Sequence, residues 1–489
     1  MMQRIAASAI LALACCGGLM GAEPIYKVGF KENIQYLEDG RLEKLDLYYP
    51  MDAGEGARFP AVVIIHGGGW SGGEKQQGRE ANIGTNLARM GYVAASIDYM
   101  LSESNRPSWP TNIQDCKKAV QWLRANAEVL HVDSSHIGCI GGSAGGHLSA
   151  LLATAGPDAG LEPHAPYPGV SSSIQAAVNL YGIMDLFHWR STAPDGTPKD
   201  FFRYGSQNRM FGKTWEEAEA MWKLASPMHQ LDKGDPPVFN LHGKADSTVD
   251  YLQAVYMDAR QAELGLEHEL MLLDGIGHTF DLQRWGRKPL AEDVRRRIFA
   301  FYDRHLKNIS PEESARRHAA LLAWEKANPA EAACGGFSCK GKLGEKMDVA
   351  SQGGRKEVRL SKNAKVFLQA KAGLDDLKDG MQCEIDGKRT ADDAFLVQRV
   401  VFFEKGRGLP NAVGQVSGRG QWKHGADGAF MLIVNSRQSV KLDLSPGIDV
   451  FKRSPAQAST FIPGVDIVYA QGCSMGAFGI LNYIVITKE

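Results

Sequence analysis

Three side chains in this sequence have the types and settings that acyl transfer needs. Ser143 lies in Ile140-Gly-Gly-Ser143-Ala-Gly-Gly-His147, between a strand-like stretch and a helix-like one, Leu148 to Ala155. A serine on such a tight strand-to-helix turn is a nucleophile elbow. Glycines flank it because a side chain at either position would crowd the neighbouring strand or helix. The hydroxyl is lifted above the sheet, beside a helix N-terminus that favours developing negative charge. A serine nucleophile needs a base, and the base needs an orienting acid. Asp246 follows a short apolar stretch in His242-Gly-Lys-Ala-Asp246, and His278 follows another in Gly275-Ile-Gly-His278. His278 takes the proton from Ser143, and Asp246 fixes its tautomer. Asp250 is a competing acid. His242 reads as structural, because it precedes its turn too early to reach the serine. Upstream, His66 is followed by Gly67, Gly68, Gly69 and Trp70. The backbone N–H groups of Gly68 and Gly69, with that of Ala144, suit an oxyanion hole. His66 itself reads as a structural hydrogen-bond partner.

These groups must be held by a sheet that delivers them to one edge. From about residue 24 to 307 strand-like and helix-like stretches alternate, which predicts crossover units and a mostly parallel sheet flanked by helices. Strands are expected at Arg58 to His66, Tyr92 to Tyr99, Ile137 to Ile140, Ala176 to Tyr181, Pro237 to Leu241 and Leu270 to Leu273. Asn112 to Asn126 has Ile113, Cys116, Ala119, Val120 and Leu123 at helical spacing. Trp70, Tyr99 and Tyr181, with Asp185 and Trp189, lie just past strand ends, where they serve either as substrate contacts or as packing. The aromatic stretch 187–204 reads as a lid-like insertion.

The motifs, in the order His66-Gly-Gly-Gly-Trp70, Asp98-Tyr99, Gly142-Ser-Ala-Gly-Gly-His147, His242-Gly-x-x-Asp246-x-x-Val249 and Gly277-His278, resemble secreted esterases of the α/β-hydrolase superfamily. The likeness is strongest to bacterial bifunctional feruloyl and acetyl-xylan esterases, beside the hormone-sensitive-lipase-like esterases. It covers roughly residues 35 to 307. It implies an α/β-hydrolase fold and a carboxylic-ester hydrolase that deacylates acetylated or feruloylated carbohydrate, with no metal or organic cofactor. Met100 stands where that family commonly has Arg, which puts local packing rather than catalysis in question. A serine peptidase or amidase of the same superfamily, and a non-catalytic binding or scaffold protein, are the alternative readings.

The remainder of the 489 residues sets the context. Apolar residues are 44% and charged residues 23%, enough to bury a core, and 55 Lys+Arg against 56 Asp+Glu exclude the basic excess of a nucleic-acid binder. Residues 1–22 read as an export signal, with Arg4 before an apolar run and small residues ahead of Ala22. Ala14-Cys15-Cys16 leaves lipid attachment open. The chain is therefore expected to be secreted or periplasmic, with no membrane span. The catalytic domain is assigned to 23–307 and a linker helix to 308–334. Cys116 and Cys139 read as buried apolar residues, and Cys334 and Cys339 as a pair able to close a small disulfide loop. Beyond 335 helical signals vanish and short alternating strands take over. A repeat at an offset of 84 pairs Leu360 with Leu444, Val366 with Val450, Phe367 with Phe451 and Val401 with Val485. It predicts two tandem small OB-like barrels, 335–405 and 406–489, available for glycan contact. Every triad motif lies before residue 280. The region after 335 is accordingly expected to be dispensable for turnover of small esters.

Overall fold

The computed structural model describes residues 25–487, except 187–190, 193–197, 200–208, 287, 292, 343–347, 352–353, 380, 390–394, 404–417, 425–429, 436–437, 461–465 and 476–477. The expected signal segment 1–22 lies outside the described residues. So does the insertion 187–204, apart from two short strands.

The apolar run Phe59–Ile65 is buried along its whole length. Such a run suits only the interior of a sheet covered on both faces. It is β3, after β1 (Lys27–Ile34) and β2 (Leu45–Met51). There follow β4 (Val93–Ile97), β5 (Val132–Gly142), β6 (Ala176–Leu180), the short β7 (Ser191–Thr192) and β8 (Pro198–Lys199), β9 (Val238–Gly243) and β10 (His268–Leu273). Eight of these form one sheet in the order β1-β2-β4-β3-β5-β6-β9-β10. From β4 to β10 every pairing is parallel. The β1–β2 hairpin, which the sequence pattern did not announce, closes one edge antiparallel.

Helices cover both faces, because successive strand residues point to opposite sides. Ala61, Val63 and Ile65 face one cluster with α2 (Thr111–Ala125), α3 (Ala144–Thr154) and α6 (Leu252–Leu264). Between α3 and α6 lie the short α4 (Glu219–Leu224) and α5 (Pro227–Gln230). Val62 and Ile64 face the other cluster, with α1 (Gly78–Arg89) and α7 (Val294–Lys307). A short hairpin, β11 (Arg284–Trp285) and β12 (Lys288–Pro289), precedes α7. This is the mostly parallel, helix-flanked sheet that the alternating pattern implied, and the α/β-hydrolase architecture that the resemblance implied. Next comes α8 (Pro311–Ala327), whose start is set by Pro311 in the first turn and by Ser310, which accepts the Glu313 N–H. The one-turn α9 (Pro329–Ala332) leads into the β region.

That region is all β: β13 (Cys334–Lys342), β14 (Asp348–Ser351), β15 (Gly354–Lys371), β16 (Gln382–Arg389), β17 (Phe395–Phe403), β18 (Gly418–His424), β19 (Phe430–Asn435), β20 (Gln438–Ala456), β21 (Asp466–Met475) and β22 (Phe478–Thr487). An offset of 84 carries the first five strands onto the last five, so the sequence repeat is a structural one. Its halves are not two separate barrels, however. β18, β19, β20, β17 and β16 close a five-stranded barrel, and two of its strands belong to the first repeat. β14, β15, β22, β21 and β13 form the equivalent unit with the exchange reversed. The strand order and the parallel β20–β17 pair are those of an OB-like barrel. β15 pairs antiparallel with β20, and Gln369 lies opposite Arg453. These two are equivalents under the repeat, so a local two-fold axis passes between them. The Arg453 guanidinium donates to Gln369 Oε1 at 2.8 Å. The cut at 405/406 therefore divides both barrels.

The expected Cys334–Cys339 loop is also corrected. Both residues lie on β13, about 16 Å apart at the rise of an extended strand, beyond disulfide reach. Cys334 is a free thiol, as are the buried Cys116 and Cys139.

Candidate active site

The elbow is built as its glycines require. Ser143 has φ 58 and ψ −121, a strained conformation held by β5 on one side and α3 on the other. A Cβ on Gly141 would lie 2.2 Å from Gly145 O, and one on Gly145 would lie 2.1 Å from Ile65 O. Both positions are closed to any side chain. The hydroxyl projects at the C-terminal edge of the sheet, where β9 and β10 end.

Ser143 Oγ lies 3.0 Å from His278 Nε2, and His278 Nδ1 lies 2.6 Å from Asp246 Oδ2. Asp246 is fully buried, whereas His278 retains a little exposure. The carboxylate is saturated. Oδ1 accepts the N–H groups of Thr248 and Val249 at 2.8 and 2.9 Å. Oδ2 takes His278 Nδ1–H and also lies 3.2 Å from His242 Nε2. Burial alone would raise the Asp246 pKa. The hydrogen bonds from His242 and His278, the charge of His278 and the Val249 N–H outweigh it and hold the carboxyl well below its usual range. An ionised Asp246 fixes the proton on His278 Nδ1, so Nε2 is left to accept from Ser143. Asp250 is not in this chain; its Oδ1 caps the Leu252 N–H.

The loop holding His278 is clamped from two sides. Trp285 Nε1–H donates to His278 O at 3.0 Å. Tyr181 O–H donates to Phe280 O at 2.8 Å and accepts from Arg79 at 2.9 Å. The Tyr181 ring meets the imidazole edge-on, centroids 4.8 Å apart. Arg79 is paired in turn with the adjacent Glu80.

The glycine run passes directly beside the nucleophile: a Cβ on Gly67 would lie 3.3 Å from Ser143 Cβ. Gly68 and Gly69 have φ +121 and +59. Ala144 opens α3, where a first-turn N–H has no partner within its helix. Trp70 Nε1–H donates to His147 Nδ1 at 3.2 Å, and His147 Nε2–H donates to Ala225 O at 2.7 Å. Both ring nitrogens of a neutral imidazole are thus used, and burial lowers the His147 pKa to about 4. Tyr99 O–H holds His66 O at 3.0 Å, and its ring stacks on His66.

Ser143, His278 and Asp246 therefore meet, with Gly67 beside the serine and Ala144 next in the chain. Trp70, Tyr99 and Tyr181 are all buried. Each supports another part of the site, in keeping with the packing alternative. Arg79, Trp285 and the reach of His242 to Asp246 were not anticipated. Only the last had a signal, the four-residue spacing of His242 and Asp246.

Parts of the chain are similar to known proteins. The family model BD-FAE matches residues 45–260, a span that includes Ser143 and Asp246. Esterase LipQ of Mycobacterium tuberculosis is 29% identical over 277 residues, 56% of this chain and 63% of that protein. The probable carboxylic ester hydrolase LipM of the same species is 33% identical over 224 residues, 45% of this chain and 49% of that protein. The chain thus spans about half to just under two thirds of these relatives. A solved structure described as a truncated form of a carbohydrate esterase from gut microbiota is 27% identical. It covers 53% of this chain and 91% of its own, with a TM-score of 0.46. The chain is thus similar, over residues 45–260, to the BD-FAE family, within a fold of α/β-hydrolase type.

Proposed function

We propose that the chain is a serine carboxylic-ester hydrolase. The observation that carries this reading is the hydrogen-bonded series Ser143–His278–Asp246, with the last member ionised and buried. Ser143 Oγ attacks the ester carbonyl as its proton passes to His278 Nε2. The N–H groups of Gly68, Gly69 and Ala144 take the charge that develops on the carbonyl oxygen. His278 returns its proton to the departing alcohol and leaves an acyl-serine. Water, deprotonated by the same imidazole, then releases the acid and restores Ser143.

The substrate class is acetylated or feruloylated carbohydrate, as the family resemblance implies. Export fits a polymeric substrate that cannot enter the cell. Among the described residues no helix is long and apolar enough to cross a membrane.

Hydrolysis of 4-nitrophenyl acetate, acetylated xylan and a feruloylated sugar tests the reading in wild type and Ser143→Ala. Loss of the nucleophile is expected to lower kcat by about 10⁵- to 10⁶-fold. The ranking of the three substrates names the acyl and alcohol class. A wild type that cleaves none of them, or an Ser143→Ala variant as fast as wild type, overturns the reading.

A further inference from the structure

The crossover from α9 into β13 is seated on two elements that hold the active site. Arg89 of α1 donates to Ala332 O at 3.0 Å and also to Glu331 O. The Cys334 thiol accepts from Asn82 at 3.3 Å and from Asn86 at 3.2 Å, both on α1. On the other side, Arg284 of β11 donates to Cys334 O at 3.2 Å. Gln283 Oε1 accepts from Asn82 at 2.9 Å and lies 3.7 Å from the Cys334 sulfur. Gly335 has φ +89, and a Cβ there would meet both Arg284 and Gly78 O at 3.1 Å. The backbone at 335 is left-handed and the space beside it tight, so a side chain there would be strained and would press on both walls. One wall is α1, which carries Arg79 to Tyr181. The other is the hairpin loop, whose next residue, Trp285, grips His278 O.

We propose that the segment Glu331–Gly335 is a strap that positions the His278 loop, making the C-terminal β region part of the catalytic unit. This rests on the ester-hydrolase reading of the same site. It replaces the expectation from motif positions that the region after 335 is dispensable. The strap contacts no reacting atom. It fixes α1 and the His278 loop against one another, and the loop sets the distance from His278 Nε2 to Ser143 Oγ. Misplacement of a base by a fraction of an ångström lowers the chemical step without changing how the substrate is held.

The test uses the full chain with Arg284→Ala and Gly335→Val, which loosen the strap from opposite sides. Arg284→Lys serves as the conservative variant, and Leu396→Ala as a remote control on the exposed face of β17. kcat and KM are measured on 4-nitrophenyl acetate, with amide hydrogen exchange across 275–286. Both strap variants are expected to lower kcat about 10-fold with KM nearly constant, and to raise exchange across 275–286 about 10-fold. Arg284→Lys recovers part of the loss, and Leu396→Ala changes neither readout. If Gly335→Val does not fold, Arg284→Ala decides alone, since the Arg284 side chain is 40% exposed and lies outside the core. Unchanged kcat and exchange in a folded Arg284→Ala overturn the strap. A wild type inert on all esters overturns the ester reading, while the exchange difference still reports on the strap.

Discussion

Asp246 Oδ2 is shared by two imidazoles with different duties. His242 Nε2 lies 3.0 Å from Val249 O and 3.2 Å from Asp246 Oδ2, both acceptors, so this nitrogen carries the proton. Its Nδ1 is buried without a partner. His242 thus spends one N–H to hold the acid and the Val249 turn together. A hydrogen bond to a charged group contributes about 1.5–3 kcal/mol. His242→Ala is expected to lower kcat about 10-fold with KM little changed, as Asp246 loses one of its donors and the Val249 turn its tether. His242→Gln, with an N–H at a similar reach, restores part of the rate. Measuring kcat and KM for the three proteins checks this; an alanine variant with the wild-type kcat would show that His242 only packs.

At the scale of elements, the glycine run is a loop held by its roots. Lys75 N–H donates to Asp98 Oδ1 at 2.8 Å, and Ser96 O–H donates to Lys75 O at 2.8 Å. The Lys75 ammonium lies 3.3 Å from Asp98 and 3.7 Å from the buried Asp46. Burial, helped by the charges of Asp98 and Glu32, pushes the Asp46 carboxyl up to about 6, against Lys75 and the Asn33 N–H. The unfolded chain titrates near 3.8, so the folded state takes up this proton first. The folded state is therefore penalised progressively as pH rises from about 3.8 to about 6, and the penalty is constant above that. Asp46→Asn removes the penalty. Relative to wild type it is expected to gain about 2.4 kcal/mol between pH 4 and pH 8. Urea melts at the two pH values measure this; a pH-independent difference would mean that Asp46 is not strained by its burial.

The same logic of shared support governs the whole molecule. The barrel core around Leu377, Ile385, Val397 and Val400 also takes Leu442 and Val450 from the other repeat. Strand exchange makes the halves of the β region one cooperative body. Val400→Ala, at a site with no exposed surface, is expected to cost about 2 kcal/mol. Its hydrogen exchange should rise in 438–456 as well as in 395–403. Tandem independent barrels would leave 438–456 untouched. Through the strap, this body also reaches the His278 loop.

Much of this was legible along the chain because it is local. The elbow needs only Gly141, Ser143 and Gly145 between a strand and a helix. The order of Ser143, Asp246 and His278 follows from loops at the same end of parallel strands. The offset of 84 was visible as matched residues such as Val366 and Val450. What the sequence did not decide are contacts between segments far apart in it. Trp70, Tyr99 and Tyr181 sit past strand ends, as pocket residues do, yet only packing shows that they are buried. The exchange of β16 and β17 for β21 and β22 has no sequence signature, because either partner satisfies the same alternation of apolar residues. Only the assembled sheet distinguishes the two pairings. Likewise nothing in Cys334 or Gly335 names Arg284 or α1 as a neighbour, since those contacts depend on where two independently patterned regions come to rest.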